Sequence, residues 1–230
     1  DLLAMEKMPH NCLITTSGYD SLTTDSANSA SAYATGHKSV VNAMGVYEDS
    51  TKNPFDDPRV ENISEIVKRS RGMSVGIITQ AESTDATPAA MIGHTRRRAN
   101  QDYLASEYLE DYHRPDVIMG GGSSRYIPQT EKGSKRHDNQ NVIQEFKDKG
   151  YTFVTTSKEM MAAPSNKPLL GLFKPGTMNV YIDREMLKNP EVLGKYTDQP
   201  NLVNMTKKSL DILSKNPKGF FAMIEGASID

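Results

Sequence analysis

"RGMSVGIITQAESTDATPAA", residues 71–90, decides the fold. Gly72 closes a helical pattern, and the uncharged run MSVGIIT (73–79) reads as a buried strand. A helix is expected to follow over residues 86–112, with Pro88 acceptable in its first turn. A buried strand set between two helices is the repeating unit of an α/β fold.

The same alternation continues outward in both directions. Upstream, NCLITT (11–16) reads as a short strand, and the Ala- and Ser-rich residues 26–36 read as a helix stopped by Gly36. Val60, Ile63, Ile66 and Val67 give helical spacing over 60–71. Downstream, DVIM (116–119) predicts a strand ended by Gly120, Gly121 and Gly122, with helices over 140–149 and 200–215. YTFVTT (151–156) and GFFAMIE (219–225) predict two more strands. The class is therefore α/β, with a largely parallel central sheet flanked by helices in a single domain over 1–230. Residues 123–140 and 157–200, scattered with Pro, Gly, Lys and Asn, are expected as surface insertions on the sheet's rim.

Composition removes several classes. A formal charge of −2 argues against non-specific nucleic-acid binding. A single cysteine, Cys12, excludes both an internal disulfide and a Cys-rich zinc site, and it reads as a small core residue. No run of about twenty apolar residues predicts a membrane span. The first residues lack the basic-then-apolar pattern of a secretory signal. The chain opens without Met and stops just past an apolar strand-like run, so it is expected to be an excerpt of a longer protein.

In such sheets ligands bind beyond the carboxyl ends of the strands. The residues there run from Thr79 to Thr87, through the triple glycine, and from Glu225 to Asp230, with the Asp25-Ser26 turn opening a helix on the same rim. Asp, Ser, Thr and Glu are hard-oxygen groups, suited to a divalent cation and a phosphate. Free N–H groups and the helix dipole at Ser26 favour an anion. Ala27, Ser29, Ala30, Ser31 and Ala32 let that helix lie close to the sheet. Simpler readings stand beside these. Asp25, Ser26 and Thr87 are each acceptable as helix caps, and Arg98 is one of three arginines on a solvated face. His94, four residues before Arg98, reads as a buried or supporting residue on the same helix face, and His10, His37, His113 and His137 as surface or structural. GYDSL (18–22) begins like a nucleophile elbow but lacks its closing glycine.

Five stretches together, TDSANSASAYATGHKS, DATPAAMIGHTRRR, DVIMGGGSSRY, LLGLFKPGTM and NPKGFFAMIEGASID, resemble the alkaline phosphatase family in order along nearly the whole chain. The resemblance implies phosphomonoester hydrolysis by two in-line displacements through a phosphoserine, at a site of two zincs and one magnesium. It implies that Ser26 is the nucleophile and is held by zinc as an alkoxide, that Asp25 positions the phosphate-binding arginine, and that Arg98 is that arginine. Thr87 and Glu225 resemble magnesium ligands, Asp85 the residue shaping the magnesium's water shell, and Asp230 a zinc ligand. Phosphomonoesters and inorganic phosphate as ligands, a homodimer, and a periplasmic or extracellular location follow from the same resemblance.

The departures carry expectations too. The family's Gly-Asp-Gly turn has no counterpart before residue 11, and its zinc-binding histidines lie beyond EGASID, so residues 1–230 alone are expected neither to hold two zincs nor to turn over. Lys174 and Gln199 stand where vertebrate members carry calcium-binding carboxylates, while Asp85 and Thr87 resemble the bacterial enzymes. A phosphodiesterase or sulfatase on the same scaffold is the alternative enzyme, and an inert fragment the non-enzymatic one. Ser26 together with Arg98 favours the monoesterase.

Overall fold

Ile77 and Ile78 are both fully buried although they point to opposite faces of one strand, so that strand must be covered on both sides. It is β1 (Ser74–Glu82), which lies inside a five-stranded sheet. The computed structural model describes residues 3–10 and 12–229. In chain order the principal elements are α1 (Ser26–Thr35), α2 (Ile63–Arg71), β1, α3 (Ala86–Ala89), α4 (Gln101–Glu107), β2 (Val117–Gly121), α5 (Val142–Asp148) and β3 (Thr152–Val154). There follow α6 (Ser157–Ala162), β4 (Leu169–Leu172), α7 (Pro190–Leu193), α8 (Leu202–Leu213) and β5 (Phe220–Glu225).

The strands pair in the order β3-β4-β2-β1-β5, and every pairing is parallel. Two apolar layers form on the two faces. Ile77, Ile118 and Leu170 pack with Ala27, Ala30, Leu104, Tyr108 and Phe146 on one side. Ile78, Val117, Met119 and Leu169 pack with Met160, Met205 and Leu213 on the other. The expected α/β class with a parallel central sheet is what the chain adopts.

Helix ends follow the local chemistry. Gly36 and Gly72 take left-handed φ of 75° and 63° after α1 and α2, a region that costs glycine least. Asn62 and Glu65 close a reciprocal capping box on α2, so the helix starts at Ile63 and Val60 lies outside it.

Four expectations are corrected. The helix over 86–112 is two short helices, α3 and α4, separated by an irregular turn. At Gly93 a Cβ would stand 2.4 Å from Leu104 Cδ2, and Thr95 leaves the helical path to pair antiparallel with Met44. His94 and Arg98 consequently share no helix face. Residues 12–16 form no strand, and Leu13 is fully exposed, while Asn11 lies outside the described residues. Cys12 is exposed rather than buried, because the segment around it is not covered by the core. Finally, 157–200 is not simply a rim insertion. Leu169, Leu170 and Leu172 are buried in β4, between β2 and β3, where a short Leu-Leu-Gly-Leu run after Pro168 supplies an inner strand.

The small face of α1 seats it against α3 and α2, with Ala27, Ala30 and Ala34 all buried. Ala30→Leu is expected to overpack this contact and destabilise the fold by about 1–3 kcal/mol. Tyr33→Ala, on the exposed side of the same helix, should change stability by less than about 0.5 kcal/mol. Urea denaturation of both variants measures the difference, and equal effects would contradict this packing.

Candidate functional site

Asp25 is the N-cap of α1. Its Oδ1 accepts the Asn28 N–H at 3.0 Å, and Asn28 Oδ1 accepts the Asp25 N–H at 3.0 Å. This leaves Ser26 as the first helical residue, half-buried, on the helix end where backbone N–H groups point outward. The second oxygen of Asp25 pairs with Arg98 Nη1 at 3.2 Å.

Asp85 plays the matching part after β1. It precedes α3, its Oδ1 accepts the Ala86 N–H at 2.7 Å, and the same oxygen pairs with Arg98 Nη2 at 3.0 Å. Arg98 thus joins the N-caps of two helices. Its own backbone is held by Asn42, whose carbonyl accepts the Arg98 N–H at 2.9 Å and whose N–H donates to Asp25 at 3.3 Å. Asn42 sits at φ 70°, a left-handed conformation that asparagine tolerates better than most residues. Burial works against the Arg98 charge, but the carboxylates of Asp85 and Asp25 outweigh it and hold the guanidinium above its ordinary pKa. A guanidinium has five N–H donors, and these two pairs use one on each Nη, so three remain for a ligand.

The neighbouring arginines do other things. Arg96 donates to Thr51 O at 2.6 Å and lies 3.6 Å from Asp57, tying down the 48–57 loop, and Arg97 is exposed. Geometry therefore singles out Arg98 among the three. A cleft of about 610 Å³, lined in part by Asp20, Asn42 and all three arginines, opens beside it. Ser26 is not among the residues lining that cleft.

Glu225 ends β5 directly across from Thr79 of β1. The buried Thr79 hydroxyl donates to Glu225 Oε2 at 2.5 Å and accepts the Ala81 N–H at 2.9 Å, which fixes the carboxylate at the sheet's carboxyl edge. Tyr108 is fully buried, and its hydroxyl donates to Ser83 O at 2.8 Å. Burial pushes that phenol well above its usual pKa, and Tyr126, Glu107, Asp85 and Glu225 push it further. Thr87 is half-buried in α3, two residues past Asp85. Asp230 lies outside the described residues. Asp25, Ser26, Arg98 and Asp85 are thus brought together, with Thr87 beside Asp85 and Glu225 across the same sheet edge.

Two features were not read in the sequence. Glu82, at the end of β1, meets Lys135 at 3.2 Å and Arg125 at 3.4 Å, so the 123–140 segment brings cations to the rim. No spacing announces this, because the contact spans more than forty residues. Glu65, His94 and His113 converge in the interior. The N-I-S-E capping-box spacing over 62–65 marks Glu65 as a helix-start residue, but nothing local links it to the two histidines.

The hard-oxygen set Asp85, Thr87 and Glu225 fits magnesium by donor chemistry, since carboxylate and hydroxyl oxygens suit that ion. For zinc the described residues offer Ser26 alone from the expected set.

The alkaline phosphatase family model matches residues 1–230. Alkaline phosphatase 4 of Bacillus subtilis is 36% identical, over 90% of this chain and 40% of its own length. Alkaline phosphatase H of Pseudomonas aeruginosa is 33% identical, over 96% of this chain and 51% of its own. The chain therefore spans about half or less of the length of these relatives. Among solved structures, the Thermus thermophilus alkaline phosphatase superposes with a TM-score of 0.75 at 25% identity, covering 91% of this chain and 39% of that one. A mutant of the TAB5 alkaline phosphatase, with Mg bound in its M3 site, gives 0.73 at 28% identity, covering 94% and 54%.

If Asp25 both caps α1 and holds Arg98, its two variants should separate. Asp25→Ala loses the cap and is expected to cost about 1–2 kcal/mol. Asp25→Asn keeps a capping oxygen and should cost less than about 1 kcal/mol, the scale of a partly exposed ion pair. Chemical denaturation reads both, and an alanine variant as stable as the parent would contradict the capping role.

Proposed function

The chain belongs to the alkaline phosphatase family, and from that premise we propose that the protein hydrolyses phosphomonoesters through a phosphoserine formed on Ser26. The observation that carries this reading is the single arrangement of Ser26 at the N-terminus of α1 with Arg98 clasped between Asp25 and Asp85 beside it.

In this reading the remaining N–H donors of Arg98 bind two non-bridging oxygens of the phosphate, a fork geometry that lysine lacks. The N-terminus of α1 favours the negative charge of the phosphoryl group. Ser26 Oγ attacks phosphorus in line as the ester oxygen leaves on the opposite side, and the alcohol departs. Water then displaces Ser26 from the phosphoserine, releasing inorganic phosphate and restoring the hydroxyl. Asp25 and Asp85 keep the guanidinium in place through both displacements. Two zincs and one magnesium, when bound, supply the charge neutralisation and nucleophile activation that an isolated serine hydroxyl lacks near neutral pH. Thr87 and Glu225 would hold the magnesium, Asp85 would order its surroundings, and Ser26 and Asp230 would face zinc.

A homodimer and a periplasmic or extracellular location belong to the same proposal. No helix among the described residues is long and apolar enough to cross a membrane.

The test is phosphate labelling of the intact protein at low pH, where a phosphoserine accumulates. Ser26→Ala should abolish the label. Retained label in the peptide carrying residue 26, or elsewhere in the variant, would show that another residue is the nucleophile.

A further inference from the structure

Away from the rim, three side chains from separate segments meet in the interior. Glu65 stands in the first turn of α2, His94 on the turn between α3 and α4, and His113 on the turn before β2. Their donor atoms all lie within 4.8 Å of one another, and all three residues are buried. Glu65 also lines a cleft of about 450 Å³ together with Ser74 and Asp116, at the amino ends of β1 and β2. That is the end of the sheet opposite Asp85 and Glu225, so the cluster and its access are separate from the phosphate rim.

The protons on the two rings are assigned by their partners. His94 Nδ1 lies 2.7 Å from Gly45 O, and His113 Nε2 lies 2.9 Å from Glu107 O. A carbonyl only accepts, so each of these nitrogens must be the N–H donor. Each neutral ring then turns a lone pair inward. His94 Nε2 stands 3.3 Å from Glu65 Oε2, with a long 3.4 Å contact to Asn62 Nδ2, whose amide donates to Ile92 O at 3.0 Å. His113 Nδ1 stands 3.7 Å from Glu65 Oε1, completely buried and with no hydrogen-bond partner among the described residues.

Two lone pairs and a carboxylate facing one another need a cation among them. Burial works to lower the His94 pKa, but the Glu65 carboxylate outweighs it and raises it, so a proton serves His94 Nε2 while His113 Nδ1 stays unserved. An imidazolium N–H at His113 Nδ1 would be a buried donor too far from Glu65 to bond. The rings are also stacked at 13° with centroids 6.1 Å apart, so two charged imidazoles would face each other in a low-dielectric interior. Glu107 does not relieve this, because its carboxylate is engaged by the His94 N–H at 2.9 Å and by Arg59 at 3.1 Å.

We propose that Glu65, His94 and His113 form a zinc-binding site with three protein ligands and an open fourth position, tying α2 to the turns bearing His94 and His113. Two imidazole nitrogens and one carboxylate oxygen are a zinc donor set; tetrahedral ligands at about 2.0–2.2 Å stand roughly 3.3–3.5 Å apart, so the three donors, within 4.8 Å of one another, would draw together by up to about an ångström on binding. Imidazole donors disfavour magnesium and calcium. The carbonyls of Gly45 and Glu107, bonded to the outer ring nitrogens, supply the supporting contacts that metal-bound histidines require.

The experiment uses the intact protein, stripped of metal and dialysed against zinc alone. Zinc content by mass spectrometry should fall by one ion per chain in His113→Ala and in Glu65→Gln, in the parent background and equally in Glu225→Ala, where the rim is altered. The same zinc content in all of these would overturn the proposal. Because a substitution here risks the fold, nitrogen-15 spectra of the unmodified protein give a second reading. Added zinc should move the resonances of His94 Nε2 and His113 Nδ1 to metal-bound positions while the outer nitrogens stay protonated. Rings that remain doubly protonated in excess zinc would show that Glu65 serves two imidazoliums instead.

Discussion

The arrangement depends on one bridge, the Arg98 guanidinium between the carboxylates of Asp25 and Asp85. Each carboxylate is at once a helix cap and an ion-pair partner, so the bridge locks two helix N-termini to one side chain. Asn42 closes the figure by bonding both Asp25 and the Arg98 backbone. Side-chain exposures of 21 to 39% keep each pair's contribution to stability small, on the order of 1 kcal/mol or less. Its importance is positional. Arg98 lies on an irregular turn, and without these partners a flexible side chain would have no fixed direction relative to Ser26.

The parallel sheet supplies the second coordinate. Because β1 and β5 run in register from Ser74–Phe220 to Thr79–Glu225, their carboxyl ends fall together, and the Thr79 hydroxyl fastens Glu225 there. Asp85 follows β1 by three residues, so the sheet edge and the Arg98 bridge are linked through a very short piece of backbone. The small side chains of α1 let it pack on α3, which starts at that edge directly after Asp85. A bulkier helix would stand further off and carry Ser26 away with it.

Local patterns were legible where local chemistry decides them. The uncharged run of β1, the Ala-Ser helix with its terminal Gly36, and the alternation that makes the sheet parallel all follow from residue type and spacing. Three features escaped because tertiary contacts override local preference. Gly93 permits a close approach to Leu104 and lets the chain leave the helix that its neighbours favour. Leu169–Leu172 is too short to be distinguished from a loop without its partners β2 and β3. The apolar look of 12–16 is not matched by any covering element among the described residues. At the site, residue type and strand ends pointed to Asp25, Ser26, Asp85, Thr87 and Glu225, while the choice of Arg98 over Arg96 rested on family resemblance. Its geometric basis is the long-range pairing that no spacing encodes. Glu65, His94 and His113 were invisible as a group for the same reason.

The most direct test of the central claim is the affinity of the intact protein for inorganic phosphate, measured by titration calorimetry with Arg98 and with Arg98→Lys. Lysine keeps the positive charge but loses the fork that pairs with two carboxylates and still reaches a phosphate. The account predicts an affinity lower by about tenfold or more, with the fold intact, since one good charge-assisted hydrogen bond contributes about 1.5–3 kcal/mol. Unchanged affinity in the lysine variant would mean that the Asp25–Arg98–Asp85 bridge is only a structural clamp and that phosphate is bound elsewhere.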